Sequence, residues 1–132
     1  MNNLTKKKIA KNWFKNLQKN LCKEIEEIEG KKFLFRSKTW KRSIKSNQGG
    51  GKFCILENGK IFEKVGVNFS EVYGTFSKKF RKQIPGAQTN PNFWASGISV
   101  VMHMQNPNVP AMHFNTRYIF TSHGWFGGGM DV

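Results

Sequence analysis

The sequence predicts an α+β domain: one amphipathic helix at the N-terminus packed on antiparallel strands. Three observations carry this. Apolar residues recur at helical spacing over residues 4–29 and at a period of two in the C-terminal half. An Asn58-Gly59 pair joins two short apolar runs, and an Asn-Pro-Asn-Val-Pro break at 106–110 separates two longer alternating ones. At 132 residues the chain is read as one domain, or part of one, with a single core.

In chain order, the helix over 4–29 carries Leu4, Ile9, Trp13, Phe14, Leu17, Leu21, Ile25 and Ile28 between lysines and glutamates, with Gly30 placed as its stop. One stripe should face the sheet. A membrane-surface helix is the rival, but Glu24, Glu26, Glu27 and Glu29 argue against an anionic surface. Residues 30–52 read as a basic, glycine-rich connector, with Phe33 to Phe35 and Trp40 as apolar islands. Its end, Gly49 to Gly51, lacks the Lys-Ser/Thr and helix of a phosphate-binding loop and reads as a flexible turn. Residues 53–132 form the antiparallel sheet region. Phe53 to Leu56 and Ile61 to Val65 flank the Asn-Gly turn, and Phe69 to Phe76 supplies a further strand. Lys78 to Lys82 is an exposed basic patch, Pro85 to Asn92 a loop, and 97–120 the central hairpin. Gly127 to Gly129 followed by Asp131 reads as a shaped turn.

The central hairpin has two unlike faces. Ile98, Val100, Met102 and Met104, then Met112, Phe114, Thr116, Tyr118 and Phe120, make one face apolar; Ser99, His103, His113, Asn115 and Arg117 fall on the other. Pro107 and Pro110 cannot donate ladder hydrogen bonds, so the reversal lies between Gln105 and Pro110. A hairpin centred near Asn108 sets His103 opposite His113 and Ser99 opposite Arg117. Between Pro85 and Met130, Arg117 is the only Asp, Glu, Lys or Arg. Its partner must therefore come from elsewhere: a ligand anion matched to its two-pronged donor, a distant carboxylate of the fold, or solvent. Each histidine alone reads as structural; grouped with Ser99, Asn115 and Arg117 they read as a binding site.

The net charge of +14 raises a nucleic-acid reading. Up to Lys52 there are 15 basic and 4 acidic residues, and beyond it 7 and 4, so the excess is +11 in the first part and +3 in the rest. The aromatic-rich half is nearly free of charge, which does not suit a stacking platform interleaved with lysines. A solvated basic face is the reading adopted, and nucleic acid is not the expected partner. Cys22 and Cys54 have no metal-ligand spacing, and no apolar run spans a bilayer, so a reduced, cytoplasmic chain is expected.

Four stretches then carry a resemblance. Gly-Gly-Gly-Lys-Phe-Cys-Ile-Leu-Glu-Asn-Gly-Lys-Ile-Phe-Glu-Lys-Val-Gly-Val-Asn-Phe-Ser (49–70), Ala-Ser-Gly-Ile-Ser-Val-Val-Met-His (95–103), Asn-Pro-Asn-Val-Pro-Ala-Met-His-Phe-Asn-Thr-Arg-Tyr (106–118) and Trp-Phe-Gly-Gly-Gly-Met-Asp (125–131) resemble, in order, the oxygen-dependent coproporphyrinogen III oxidase family. The resemblance implies a flat antiparallel sheet with helices on both faces and a homodimer. It implies oxidative decarboxylation of two propionates of coproporphyrinogen III to vinyls, giving protoporphyrinogen IX, with dioxygen as co-substrate and no organic cofactor. By the same resemblance Ser99, Asn115, Thr116 and Arg117 bind substrate, His113 is proton donor, and Asp131 engages the pyrrole nitrogens. His103 and His113 are implied ligands of a divalent metal, manganese or magnesium. The chain is less than half the usual family length, so it is expected to be truncated. An inactive fragment, a non-catalytic remnant and a basic nucleic-acid-binding protein are the alternatives.

Overall fold

The computed structural model describes residues 1–132. Helix α1 (Asn3–Ile28) is followed by β1 (Arg36–Lys41), β2 (Gly49–Glu57), β3 (Phe62–Thr75), the one-turn helix α2 (Lys78–Arg81), β4 (Asn92–Met104), β5 (Met112–Phe120) and β6 (Gly124–Asp131). The six strands make one flat antiparallel sheet in the order β1-β2-β3-β4-β5-β6, each pairing with its neighbour in sequence. No helix is long and apolar enough to cross a membrane.

Helix α1 has well-formed ends. The Asn2 side chain accepts from the Thr5 N–H at 2.8 Å. At the other end Gly30 takes φ +75°, its N–H bonds to the Glu27 carbonyl, and the Lys31 N–H reaches the Glu26 carbonyl. That paired arrangement is a Schellman stop, and it needs a left-handed residue at position 30. The stripe laid on the sheet is Ala10, Phe14, Gln18 and Ile25, with Leu17, Leu21 and Cys22 partly buried beside it. Half of the apolar residues that gave the helical period lie elsewhere: Leu4, Ile9, Trp13 and Ile28 are exposed.

The sheet presents Cys54, Leu56, Val65, Val67, Phe69, Ile98, Val100, Met102, Tyr118 and Phe120 to the core. Two polar helix residues fasten α1 to it. Gln18 Nε2 donates to the Lys52 and Val67 carbonyls at 2.7 and 2.9 Å. The buried Glu29 carboxylate accepts from the backbone N–H groups of Lys60, Ile61 and Phe62 at 2.7–2.8 Å. Cys22 and Cys54 are free and adjacent across the same interface. Burial, and then the neighbouring Cys54, push the Cys22 thiol up to about 12, so it stays protonated at neutral pH.

The structure departs from the sequence expectations in four places. The connector at 30–52 contains β1 and the start of β2, and Gly49 to Gly51 are ladder residues rather than a loose turn. Strand β1 was hidden because Arg36, Ser37, Lys38, Thr39 and Lys41 are exposed and polar, as suits a sheet edge. The runs at 61–65 and 69–76 are one strand, β3, in which Val65, Val67 and Phe69 keep the inward period through Gly66 and Asn68. The ending read as a shaped turn is strand β6, held by full pairing with β5 from Phe120↔Gly124 to His113↔Asp131. Finally, the one long helix, α1, packs on a single face of the sheet, through Ala10, Phe14, Gln18 and Ile25.

Candidate active site

The face turned away from α1 holds most of the expected site residues. Pairing registers define its cross-strand rows: Ile55-Gly66-Val101-His113-Asp131, then Phe53-Asn68-Ser99-Asn115-Gly129, then Trp40-Gly51-Ser70-Gly97-Arg117-Gly127. The hairpin register differs by two residues from the one expected. Ser99 lies opposite Asn115, and Arg117 lies opposite Gly97. The reversal is centred nearer Pro107, because the 106–109 turn closes with the Val109 N–H on the Asn106 carbonyl. A shift of two leaves every side chain on its face.

Ser99, His103, His113, Asn115 and Arg117 therefore share one surface, with Asp131 across from His113 on the edge strand. Thr116 does not join them by its side chain. It pairs with the buried Ile98 and falls on the helix-side face, so only its backbone belongs to the site.

Two local arrangements stand out. His103 and His113 stack with ring centroids 5.2 Å apart, and their Nε2 atoms approach to 3.0 Å. One Nε2 must carry the hydrogen and the other accept it, so the pair can hold or pass a proton. Arg117 is exposed, and its Nη1 donates to Asn115 Oδ1 at 2.7 Å. It has no carboxylate partner: Glu57 is taken by Arg36 and Lys64, and Glu71 by Lys11 and the Trp94 indole. Of its two cross-strand glycines, only Gly97 is required for the close approach of the strands. A Cβ at residue 97 would lie 2.9 Å from Arg117 Cβ, and one at 127 would come within 4.0 Å of Nε alone.

The histidine pair does not by itself fit magnesium or manganese. No group of three or more His, Cys, Asp or Glu side chains converges there, and these ions take near-octahedral, oxygen-rich sets. A cleft of about 1600 Å³ lies elsewhere, between α1 and the β1–β2 end of the sheet. Lys15, Lys19, Lys23, Lys41, Lys45 and Lys52 line it, and none of them makes an ion pair. It contains none of the expected site residues. Sequence reasoning did not single out Asn68, which sits beside Ser99 and accepts from the Trp40 indole at 2.9 Å. The signal was its outward place in the period of β3, masked by reading that strand as two pieces.

Comparison with known proteins bears on this arrangement. The family profile described as coproporphyrinogen III oxidase matches residues 9–132. The oxygen-dependent coproporphyrinogen-III oxidase of Rickettsia felis is 52% identical over 130 residues, covering 96% of this chain and 47% of that protein. The Rickettsia typhi protein of the same name is 52% identical over 134 residues, covering 98% and 48%. The chain thus spans about half the length of the curated relatives it matches. With the match running from within α1 through all six strands, this chain belongs to the coproporphyrinogen III oxidase family.

Proposed function

We propose that this chain forms the carboxylate-binding and proton-handling face of an oxidoreductase that decarboxylates coproporphyrinogen III with dioxygen. One observation carries the reading. Arg117, the sole charged residue between Pro85 and Met130, is exposed without a carboxylate of its own, on the face that also holds Ser99, Asn115 and the histidine pair. A fixed guanidinium of this kind matches a propionate.

The reaction removes a carboxylate and a hydrogen from a propionate arm: R–CH2–CH2–COO⁻ + O2 + H⁺ gives R–CH=CH2 + CO2 + H2O2. The C–COO⁻ bond breaks, its electron pair forms the vinyl double bond as one hydride equivalent leaves the neighbouring carbon, and dioxygen takes up those two electrons with two protons in all to give H2O2. An electron-rich porphyrinogen supplies the reducing power, which leaves placement and proton control to the protein. In this reading Arg117 and Asn115 grip a propionate, Ser99 adds a hydroxyl donor, and the Thr116 backbone fixes their spacing. His113, paired with His103, delivers the proton to reduced oxygen. Asp131 faces the pyrrole N–H groups from the neighbouring strand. A divalent metal would need donors beyond the two imidazoles, and no step is routed through one. The reading expects a cytoplasmic homodimer.

Binding tests the reading directly. Coproporphyrin III, the stable oxidised form with four carboxylates, should quench tryptophan fluorescence on titration into the chain. Arg117→Ala should weaken it about 10- to 100-fold, the scale of one charge-assisted hydrogen-bonded contact, with unchanged circular dichroism. Equal affinity for the variant would remove Arg117 from the site and the proposal with it.

A further inference from the structure

We infer that Asn68, positioned by Trp40, is a second carboxylate-binding residue of this face, taking another propionate arm of the same substrate. The inference rests on the reading of the face as a tetracarboxylate site and adds residues which that reading does not use.

Trp40 Nε1–H is a donor only, so the atom it meets 2.9 Å away must be the Asn68 oxygen. The Asn68 oxygen is thereby occupied and its NH2 group left over, with no acceptor in the protein. Asn115 is held in the same way: Arg117 Nη1 takes its oxygen and leaves its NH2 group unpaired. Asn68, Ser99 and Asn115 stand in one row across β3, β4 and β5 on the face turned away from α1. Two amides with their oxygens tied back, a hydroxyl between them and a guanidinium beside them make a row that presents donors. Such a row suits carboxylate oxygens, which only accept.

The spacing suits two arms. Strands β3 and β5 are separated by two interstrand steps, about 10 Å in all, too far for one carboxylate to bridge. One carboxylate therefore meets Arg117 and Asn115, and another meets Asn68 and Ser99. Alongside the row the Trp40 indole lies over Gly51 and the Arg117 side chain beside Gly97, with the small Ser70 between them. The ring body is then bounded by Trp40 and Arg117 and anchored through its arms. Trp40 touches no substrate atom in this scheme; it acts by fixing the Asn68 amide.

Five variants test this against coproporphyrin III, with unfolding midpoints recorded for each. Asn68→Asp keeps an acceptor for the Trp40 indole but replaces the donor with a charge that repels carboxylate. Affinity should fall at least about 30-fold, since it combines a lost charge-assisted bond with like-charge repulsion. Asn68→Ala should lose about tenfold. Trp40→Phe should lose a few-fold alone and nothing further in the Asn68→Ala background, because Trp40 acts through Asn68. Wild-type affinity in Asn68→Asp, while Arg117→Ala still loses binding, overturns the role of Asn68 and leaves the site reading intact. Additive losses for Trp40→Phe and Asn68→Ala overturn the positioning role. No effect of Arg117→Ala either overturns the site reading itself, and this inference with it.

Discussion

Glu29 and Arg117 are the two residues whose surroundings say most, and they are opposites. Glu29 is 5% exposed, and its carboxylate accepts three backbone N–H groups of the Asn58-Gly59 hairpin, which binds the end of α1 to the β2–β3 turn. Gly59 is needed beneath it, because a Cβ there would strike the Glu29 carboxylate at 2.5 Å. Glu29→Ala leaves three backbone donors without their acceptor, that of Phe62 buried, and should cost about 2–4 kcal/mol in urea unfolding, with Glu29→Gln costing less. A loss below 0.5 kcal/mol, roughly the scale of an ordinary surface substitution, would show that the clamp contributes little. Sequence alone offered Glu29 only as one of four acids opposing a membrane-surface helix, since the donors it caps lie 31–33 residues away. Arg117 was legible, because isolation in an uncharged segment is a property of the sequence itself.

Among the elements, the readable ones are those with an unlike pair of faces. The central hairpin and the Asn58-Gly59 hairpin declare themselves through a period of two, and α1 through its spacing and its Gly30 stop. Strand β1 alternates nothing apolar but Trp40, and β6 is four glycines among eight residues, so neither shows a face. Their pairing partners define them instead, which is tertiary information. The hairpin register was off by two for a related reason: turn geometry fixes register, and two prolines obscure which turn forms. Helix α1 holds its place chiefly through Phe14, 1% exposed against β3 and β4. Phe14→Ala should destabilise the domain by about 3–5 kcal/mol, read from the denaturation midpoint, with Phe14→Leu losing much less. A loss under 1 kcal/mol for the alanine variant would mean α1 does not pack as described.

For the molecule as a whole, the lysine-lined cleft and the expected site residues lie in different places. The lysine-lined cleft lies on the α1 side at the β1–β2 end, while the donors that match a propionate lie on the face turned away from α1, toward β5 and β6. Composition alone drew attention to the first; only the period of the central hairpin pointed to the second. These two places can be told apart in one experiment. Amide and side-chain resonances of isotopically labelled chain, followed by two-dimensional NMR during titration with coproporphyrin III, should shift at Gly97, Ser99, Asn115, Arg117 and Gly127, and stay fixed at Lys15, Lys19 and Lys23. Shifts confined to those three lysines, with the Arg117 row unmoved, would contradict the account.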